Sequence, residues 1–190
     1  MKFPIVRTTA VAATLMLGSG AAYAGRYQDA TASFKAANQS SAYFGNSYGY
    51  AIFPTVGQGG FIVGAAHGRG RVYVHGKRVG DTAVTQLSVG WQAGGEAYSE
   101  IIFFKDKRAL DEFESGQFEF GAGASVVAIT AAAAASATTQ GVGAGASGGS
   151  KDANVVGGYY KGMAVFTIYK GGLMGNASLE GEKFSFKAIG

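Results

Sequence analysis

Residues 57–73 read GQGGFIVGAAHGRGRVY, and this stretch indicates the fold more directly than any other part of the chain. Six of its seventeen residues are glycine. In its second half Arg69, Arg71 and Tyr73 alternate with Gly70 and Val72, and alternate residues of a β-strand share one face. We therefore expect a strand whose glycines permit a tight turn and close packing of its neighbours, with both arginines and the tyrosine on one face.

Short apolar or alternating segments on both sides of this stretch predict further strands. The predicted strand segments are 50–53, 61–67, 71–74, 82–91, 96–104, 118–130, 159–169 and 173–186. Pro54 is expected to end the first of them, because proline cannot donate to a strand ladder. The segment 131–150 is rich in Ala, Gly, Ser and Thr, and both a strand pair and a surface loop stay open for it.

Helical patterns are confined to two places. The first covers 26–47, with a break expected at 38–40, and the second covers 106–115. Asp106 is a suitable N-cap for the second helix, and Gly116 lies where a left-handed C-cap is wanted. The predicted fold class is therefore mainly β, an antiparallel β-barrel or sandwich with N-terminal helices and one short internal helix.

The first 24 residues have the pattern of an export signal. Lys2 and Arg7 precede a short apolar segment, and the sequence Ala-Tyr-Ala at 22–24 matches a cleavage site. We expect cleavage before Gly25, a single domain over 25–190, and a periplasmic or secreted protein. Loss of the two basic residues lowers the formal charge from +4 to +2.

The charges of the remaining chain are unevenly distributed. Residues 30–80 contain no acidic residue, whereas 81–120 contain eight acidic residues and three basic ones. The five basic residues of the acid-free segment are Lys35, Arg69, Arg71, Lys77 and Arg78. The chain has no cysteine, which excludes disulfides, thiolate metal ligands and thiol nucleophiles.

The motifs that resemble catalytic signatures lack the context that catalysis needs. Residues 143–148 match G-x-G-x-x-G, but no acidic residue follows about 20 residues later. The G-x-S-x-G matches at 45–49 and 145–149 lack an acid and a histidine in the order that a hydrolase triad requires. His67 and His75 have no nearby carboxylate cluster to complete a zinc site. We therefore predict no catalytic residue, metal or cofactor, and the small net charge also argues against nucleic acid as a partner.

Six segments, in order along the chain, resemble the SYLF family of lipid-binding domains, and the resemblance covers about residues 30–187. They are 48–57 (YGYAIFPTVG), 59–73 (GGFIVGAAHGRGRVY), 85–95 (TQLSVGWQAGG), 98–105 (YSEIIFFK), 118–122 (FEFGA) and 160–166 (YKGMAVF). The resemblance implies a binding domain that is not an enzyme. Eukaryotic members associate with phosphoinositide membranes, yeast members also with actin, and bacterial members are exported lipid-binding domains.

The predicted export decides which of these partners we expect. A periplasmic protein does not meet actin or, ordinarily, phosphoinositides, so the expected partner is an anionic phospholipid or membrane surface. The candidate headgroup residues are the five basic residues of the acid-free segment. They supply at most ~5 kcal/mol, or roughly sub-millimolar affinity. Apolar contact must add to this, and the candidates are Phe34, Tyr43 and Phe44, which could instead simply cover the sheet.

Two other functions stay open at this level. One is a structural or protein-interaction module of the envelope, in which the glycine-rich edges and residues 131–150 contact another protein. The other is a carrier that holds a hydrophobic ligand inside the barrel.

Overall fold

The computed structural model describes residues 18–60, 63–89, 94–118, 120, 126–129, 158–172 and 181–190 of the chain. The segment 131–150 lies outside the described residues, and so do parts of the predicted strands, among them 173–180. No helix in the described ranges combines the length and the apolar character needed to cross a membrane.

The helices occur where the sequence predicts them. In the described residues they are α1 (Gly18–Ala36), α2 (Asn38–Ser41), α3 (Tyr43–Asn46) and α4 (Lys107–Glu114). A break in the first helical segment is confirmed, but it lies at Ala37, and the residues 38–40 where it was expected form α2. The Ser40 hydroxyl donates to the Phe34 carbonyl at 2.6 Å. Both caps of α4 are also confirmed. The Asp106 carboxylate accepts from the Ala109 N–H at 2.9 Å, and Gly116 has a φ of 67°.

Helix α1 begins inside the segment for which we expect cleavage. Cleavage at the predicted site would remove its first turns and leave residues 25–36 as the helix. The residues of α1 that pack on the sheet, from Tyr27 to Phe34, lie after that site. The packing described below therefore involves only residues that the predicted mature chain retains.

Within the described ranges, seven strands form one sheet in the order β5-β6-β4-β1-β2-β3-β7. The strands are β1 (Gly49–Gly60), β2 (Val63–Val74), β3 (Lys77–Val89), β4 (Gly94–Phe104), β5 (Val126–Ile129), β6 (Met163–Gly172) and β7 (Glu182–Ala188). All neighbouring pairs are antiparallel except β5 and β6, which are parallel. The mainly antiparallel β class is confirmed. Among the described residues β5 and β7 are both edges, so the sheet does not close into a barrel. It is instead curved, with helices packed on its faces.

The sheet curls around α4, and we call the side that carries α4 the inner face. The ring centroid of Phe113 on α4 lies 5.0 Å from that of Phe104 on β4 and 5.0 Å from that of Phe184 on β7. Three strands separate β4 from β7 in the sheet, so a flat sheet could not bring both to one helix. The inner face is therefore concave and filled with aromatic side chains.

Helices α1 to α3 cover part of the opposite, outer face. Phe34 of α1 is fully buried there, in a cluster with Ile52, Phe103 and Phe166. Farther along the sheet, the outward positions of β2, β3 and β7 are largely exposed, and Leu87 keeps 68% of its surface in solvent. The exposed part of the outer face is where the candidate site lies.

Several strand boundaries predicted from the sequence are wrong. The segments 61–67 and 71–74 belong to one strand, β2, and β3 begins at Lys77 and not at residue 82. Pro54 does not end the first strand, because β1 continues to Gly60. The register with both neighbouring strands shifts between Ile52 and Val56, which places Pro54 in an irregular stretch where its missing N–H costs no ladder bond. The Ser99 hydroxyl then donates to the Pro54 carbonyl at 2.7 Å.

Candidate functional site

A basic groove of about 490 Å³ runs over β2, β3 and β7 on the outer face. Its floor is Ala83 on β3, which lies between Arg69 on β2 and Ser185 on β7 in the strand register. The small alanine leaves a depression between taller side chains on the two flanking strands. The groove is lined by Tyr27, Arg69, Gly70, Arg71, Arg78, Asp81, Thr82, Ala83, Ser185, Phe186 and Lys187.

The period of two in β2 explains why its arginines reach the groove. Gly68, Gly70 and Val72 face the buried inner side, so Arg69 and Arg71 must face outward. A Cβ on Gly70 would lie 2.6 Å from a ring carbon of Phe53, which leaves no room for a side chain there. The alternation in the sequence therefore places the glycines in the core and the arginines at the groove, as predicted.

Tyr27 of α1 forms one wall of the groove and holds both arginines of β2. Its ring lies under the Arg71 guanidinium, whose central carbon is 4.0 Å from the ring centroid. Its hydroxyl donates a long hydrogen bond of 3.4 Å to the Arg69 carbonyl. Cation–π contacts at partly exposed sites stabilise by roughly 0.5–2 kcal/mol, so helix α1 helps to orient the cation of Arg71.

Arg78 lies at the end of the groove and is already paired. It donates two hydrogen bonds to the Asp81 carboxylate, one of them at 2.7 Å to Oδ2. The hydrogen bond to Asp81 raises the pKa of Arg78, and burial opposes this. Part of its charge is thus neutralised within the chain, which makes Arg69, Arg71 and Lys187 the stronger candidates for binding an anion.

A second, smaller depression of about 240 Å³ adjoins the groove and shares Tyr27 and Arg69 with it. Arg26 and His67 also line it. At its border the Lys170 ammonium donates to the Thr55 hydroxyl at 3.3 Å. Burial and then the nearby charge of Arg26 lower the pKa of Lys170. The positive surface thus extends beyond the groove.

The structure brings together three of the five predicted headgroup residues. Arg69, Arg71 and Arg78 line the groove, but Lys77 is exposed beside the β2–β3 turn and does not line it. Lys35 is on α1, where its ammonium lies 5.4 Å from the centroid of the Phe44 ring. Whether these residues bind lipid stays a prediction.

The sequence reasoning missed the cations that other strands bring to this surface. Lys187 lies opposite Asp81 in the register of β7 and β3, and Lys183 lies opposite Thr85 and is exposed. Arg26 and Lys170 come from α1 and β6. The charge count of the acid-free segment did not include them, because Arg26 lies just before that segment, beyond Asp29, and the three lysines lie far along the chain. Their proximity to the groove depends on the fold.

The three predicted membrane-contacting side chains differ in exposure. Tyr43 and Phe44 are partly buried, and their rings contact the ring of Phe103 at centroid distances of 5.3 and 4.9 Å. Phe34 is fully buried against the sheet, so it could meet a membrane only if α1 left the sheet. Membrane contact by Tyr43 and Phe44 stays a prediction.

Within the described ranges, no cluster of three or more histidine, aspartate or glutamate side chains is placed to hold a metal ion. His67 is exposed and its Nδ1 lies 3.4 Å from the Thr85 hydroxyl oxygen. His75 lies at the β2–β3 turn with a φ of 48°, and its ring packs against Tyr48. Neither histidine contacts a carboxylate in these interactions, so neither is arranged as a catalytic base of the kind found in a triad.

Comparison with known proteins yields one family. A search of curated proteins found no match to the chain. The model of the Ysc84 family, described as "Las17-binding protein actin regulator", matches residues 85–188. The match runs from within β3 through β7, covers more than half of the chain, and includes one side of the basic groove. The chain therefore belongs to the Ysc84 (SYLF) family.

Proposed function

We propose that the protein binds anionic phospholipid at a membrane surface, and that the basic groove over β2, β3 and β7 receives the headgroups. The observation that carries this proposal is the convergence of Arg69, Arg71 and Lys187 around a groove whose floor is the small residue Ala83. Guanidinium groups suit phosphate well, because they present several donors in one plane. The predicted export signal supports an activity outside the cytoplasm, in a periplasmic or secreted protein.

Charge alone gives weak binding. A basic residue close to an anionic surface contributes about 1 kcal/mol. The four basic residues that line the groove, Arg69, Arg71, Arg78 and Lys187, therefore give at most about 4 kcal/mol and a Kd of about 1 mM. Apolar contact next to the groove would strengthen this. Tyr73 follows Arg71 on the same face of β2, its ring stacks on Tyr50 at 5.2 Å, and Phe44 packs on Tyr50 at 5.3 Å. This aromatic patch continues the line of the groove toward α3.

Sedimentation with phosphatidylglycerol vesicles tests the proposal. The double variant Arg69→Glu/Arg71→Glu should lose at least tenfold in vesicle affinity. The matched control is Lys105→Glu/Lys107→Glu, which makes the same change in net charge at two exposed positions, one just before α4 and one at its first residue. Equal losses in both variants would show that net charge, and not the groove, determines binding. Lack of wild-type binding to vesicles of any anionic lipid would refute the proposal itself.

The family description favours a second candidate, binding of a protein partner. The matched family is described by a protein that binds Las17 and regulates actin. For this chain the partner in the place of Las17 would be an envelope protein with an acidic segment that fits the same basic surface. Cross-linking from a cysteine introduced at Ser185 would distinguish the two candidates, because a single cross-linked protein together with no vesicle binding would favour the protein partner.

A carrier function is the remaining alternative. On the inner face, Phe113 packs against both Phe104 and Phe184, and these rings occupy space that a carried lipid would need. Mass spectrometry of the native purified protein would reveal a co-purified lipid if the chain were a carrier.

A further inference from the structure

Two buried carboxyl groups lie on the inner face, and neither belongs to the basic groove. Glu100 on β4 is fully buried, and Glu182 on β7 keeps 1% of its surface in solvent. Glu100 shares the inner face with Tyr98 and Ile102, and Glu182 shares it with Phe184. Both therefore lie inside the curved sheet and not on its surface.

The two groups interact across the interior of the sheet. Tyr98 lies two residues before Glu100 on β4. Its hydroxyl donates a hydrogen bond to the Glu182 carboxyl on β7. Three strands separate β4 from β7 within the sheet, so this contact does not follow the strand ladder. It links the edge strand β7 directly to the middle of the sheet. We call Tyr98, Glu100 and Glu182 the carboxyl latch.

The described residues place no cation in the latch. Both oxygens of Glu100, Oε2 of Glu182 and the hydroxyl of Thr167 have no hydrogen-bond partner there, and Thr167 lies opposite Glu100 in the register of β6 and β4. The titratable groups that act on Tyr98 are the two latch glutamates, Glu96 and Tyr169. The nearest basic residues of β6 and β7 face elsewhere, since Lys170 donates to Thr55 and Lys183 is exposed.

Such a site disfavours two negative charges. Burial raises the pKa of Glu100 to about 8. Burial, followed by the charge of Glu100, raises the pKa of Glu182, and the hydrogen bond from Tyr98 partly opposes this rise. An ionised carboxylate without a counter-charge is costly in an apolar interior, and a second one nearby adds repulsion. The pair therefore holds at least one proton when β7 is in place.

We propose that the contact between Tyr98 and Glu182 ties the edge strand β7 to β4 across the inner face while the buried Glu100 beside it is protonated, and that ionisation of both carboxyls releases β7. Because β7 carries Lys183 and Lys187, its release would also dismantle one wall of the basic groove. The structural part of the proposal does not depend on lipid binding.

The direction of the pH effect follows from linkage. A glutamate whose pKa is higher in the folded than in the unfolded protein is protonated only in the folded state between those two values. The folded state then binds more protons, so stability falls as pH rises from about 4.5 toward about 8. Each additional proton held by the folded state raises the unfolding equilibrium constant tenfold per pH unit across this window.

Urea unfolding between pH 5 and pH 9 tests the latch. Wild type should lose stability as pH rises, whereas Glu100→Gln/Glu182→Gln, which mimics the protonated pair, should lose most of this pH dependence. The control Glu112→Gln removes an exposed carboxyl on α4 and should follow wild type. Equal pH dependence in wild type and in the double glutamine variant would overturn the proposal.

Two measurements on wild type cover the case in which the double variant does not fold. Infrared spectroscopy should show a protonated carboxyl at pH 6.5 that disappears above pH 9, and its absence at pH 6.5 would contradict the latch.

Hydrogen exchange, corrected for its intrinsic pH dependence, should show the amides of β7 losing protection before those of β1 and β2. If calcium or magnesium stabilises the wild type at pH 8 but not the glutamine variant, the pair is a cation site and the proton latch is wrong.

Discussion

The replacement Gly70→Ala directly tests the claim that glycine in β2 is a packing requirement. A Cβ at this position would lie 2.6 and 2.7 Å from two ring carbons of Phe53 and 2.8 Å from Cγ2 of Thr82. Real Cβ atoms essentially never approach other heavy atoms so closely. Phe53 is fully buried and Thr82 is 5% exposed, so neither side chain can simply turn into solvent.

Two opposing effects set the expected magnitude. Forcing an extra methyl group into a packed core costs about 1–3 kcal/mol. Replacing glycine by alanine restricts the unfolded chain and gains about 0.4–1 kcal/mol where the backbone is compatible. Gly70 does not have a positive φ, so this gain applies to it. We expect a net loss of about 1–2 kcal/mol in the free energy of unfolding.

Urea denaturation followed by circular dichroism would measure this loss. The matched control is Gly57→Ala on the adjacent strand β1, where an added Cβ would meet no heavy atom within 4 Å. The control should be neutral or slightly stabilising. If both variants unfold at the same urea concentration with equal slopes, the close approach of Phe53 to β2 is not the reason for glycine at position 70.

Three other substitutions test contacts that position the groove and the sheet, each by the free energy of unfolding in urea. Tyr27→Phe removes the 3.4 Å hydrogen bond to the Arg69 carbonyl but keeps the ring, and it should cost less than about 1 kcal/mol. Tyr27→Ala should cost about 3–5 kcal/mol through loss of a buried ring. Asp106→Ala removes the N-cap of α4 and should cost about 1 kcal/mol, with Asp106→Asn restoring most of it. Ser99→Ala leaves the Pro54 carbonyl without its buried donor and should cost about 1–3 kcal/mol.

Features that depend on neighbouring residues were predictable from the sequence. The alternation around Gly70 placed Arg69 and Arg71 on one face, and the cap residue Asp106 located the start of α4. Both depend on backbone geometry within a few residues. Pro54 misled the same reasoning, because whether a proline ends a strand depends on the neighbouring strands. Here a register shift against β2 and β4 and a hydrogen bond from Ser99 accommodate it.

Features that depend on strand order could not be predicted. Lys187 reaches the groove because β7 pairs with β3, although about 100 residues separate them in the chain. Glu100 and Glu182 meet because the sheet curls around α4, and no spacing in the sequence encodes that curl. The sequence predicts the strand 96–104 that contains Glu100, but an acidic residue there gave no indication of its partner.

The interleaving of glycine and arginine in β2 couples the core to the groove. The inward positions must stay small because Phe53 lies over Gly70, and the outward positions between them carry the cations that meet Tyr27. A side chain at position 70 would push β2 away from Phe53, and that displacement would move Arg69 and Arg71 relative to α1. Gly70→Ala is therefore expected to weaken both folding and vesicle binding, whereas Arg71→Glu should weaken vesicle binding with little loss of stability. If Gly70→Ala lowered stability but left vesicle affinity unchanged, the groove would not depend on the exact placement of β2.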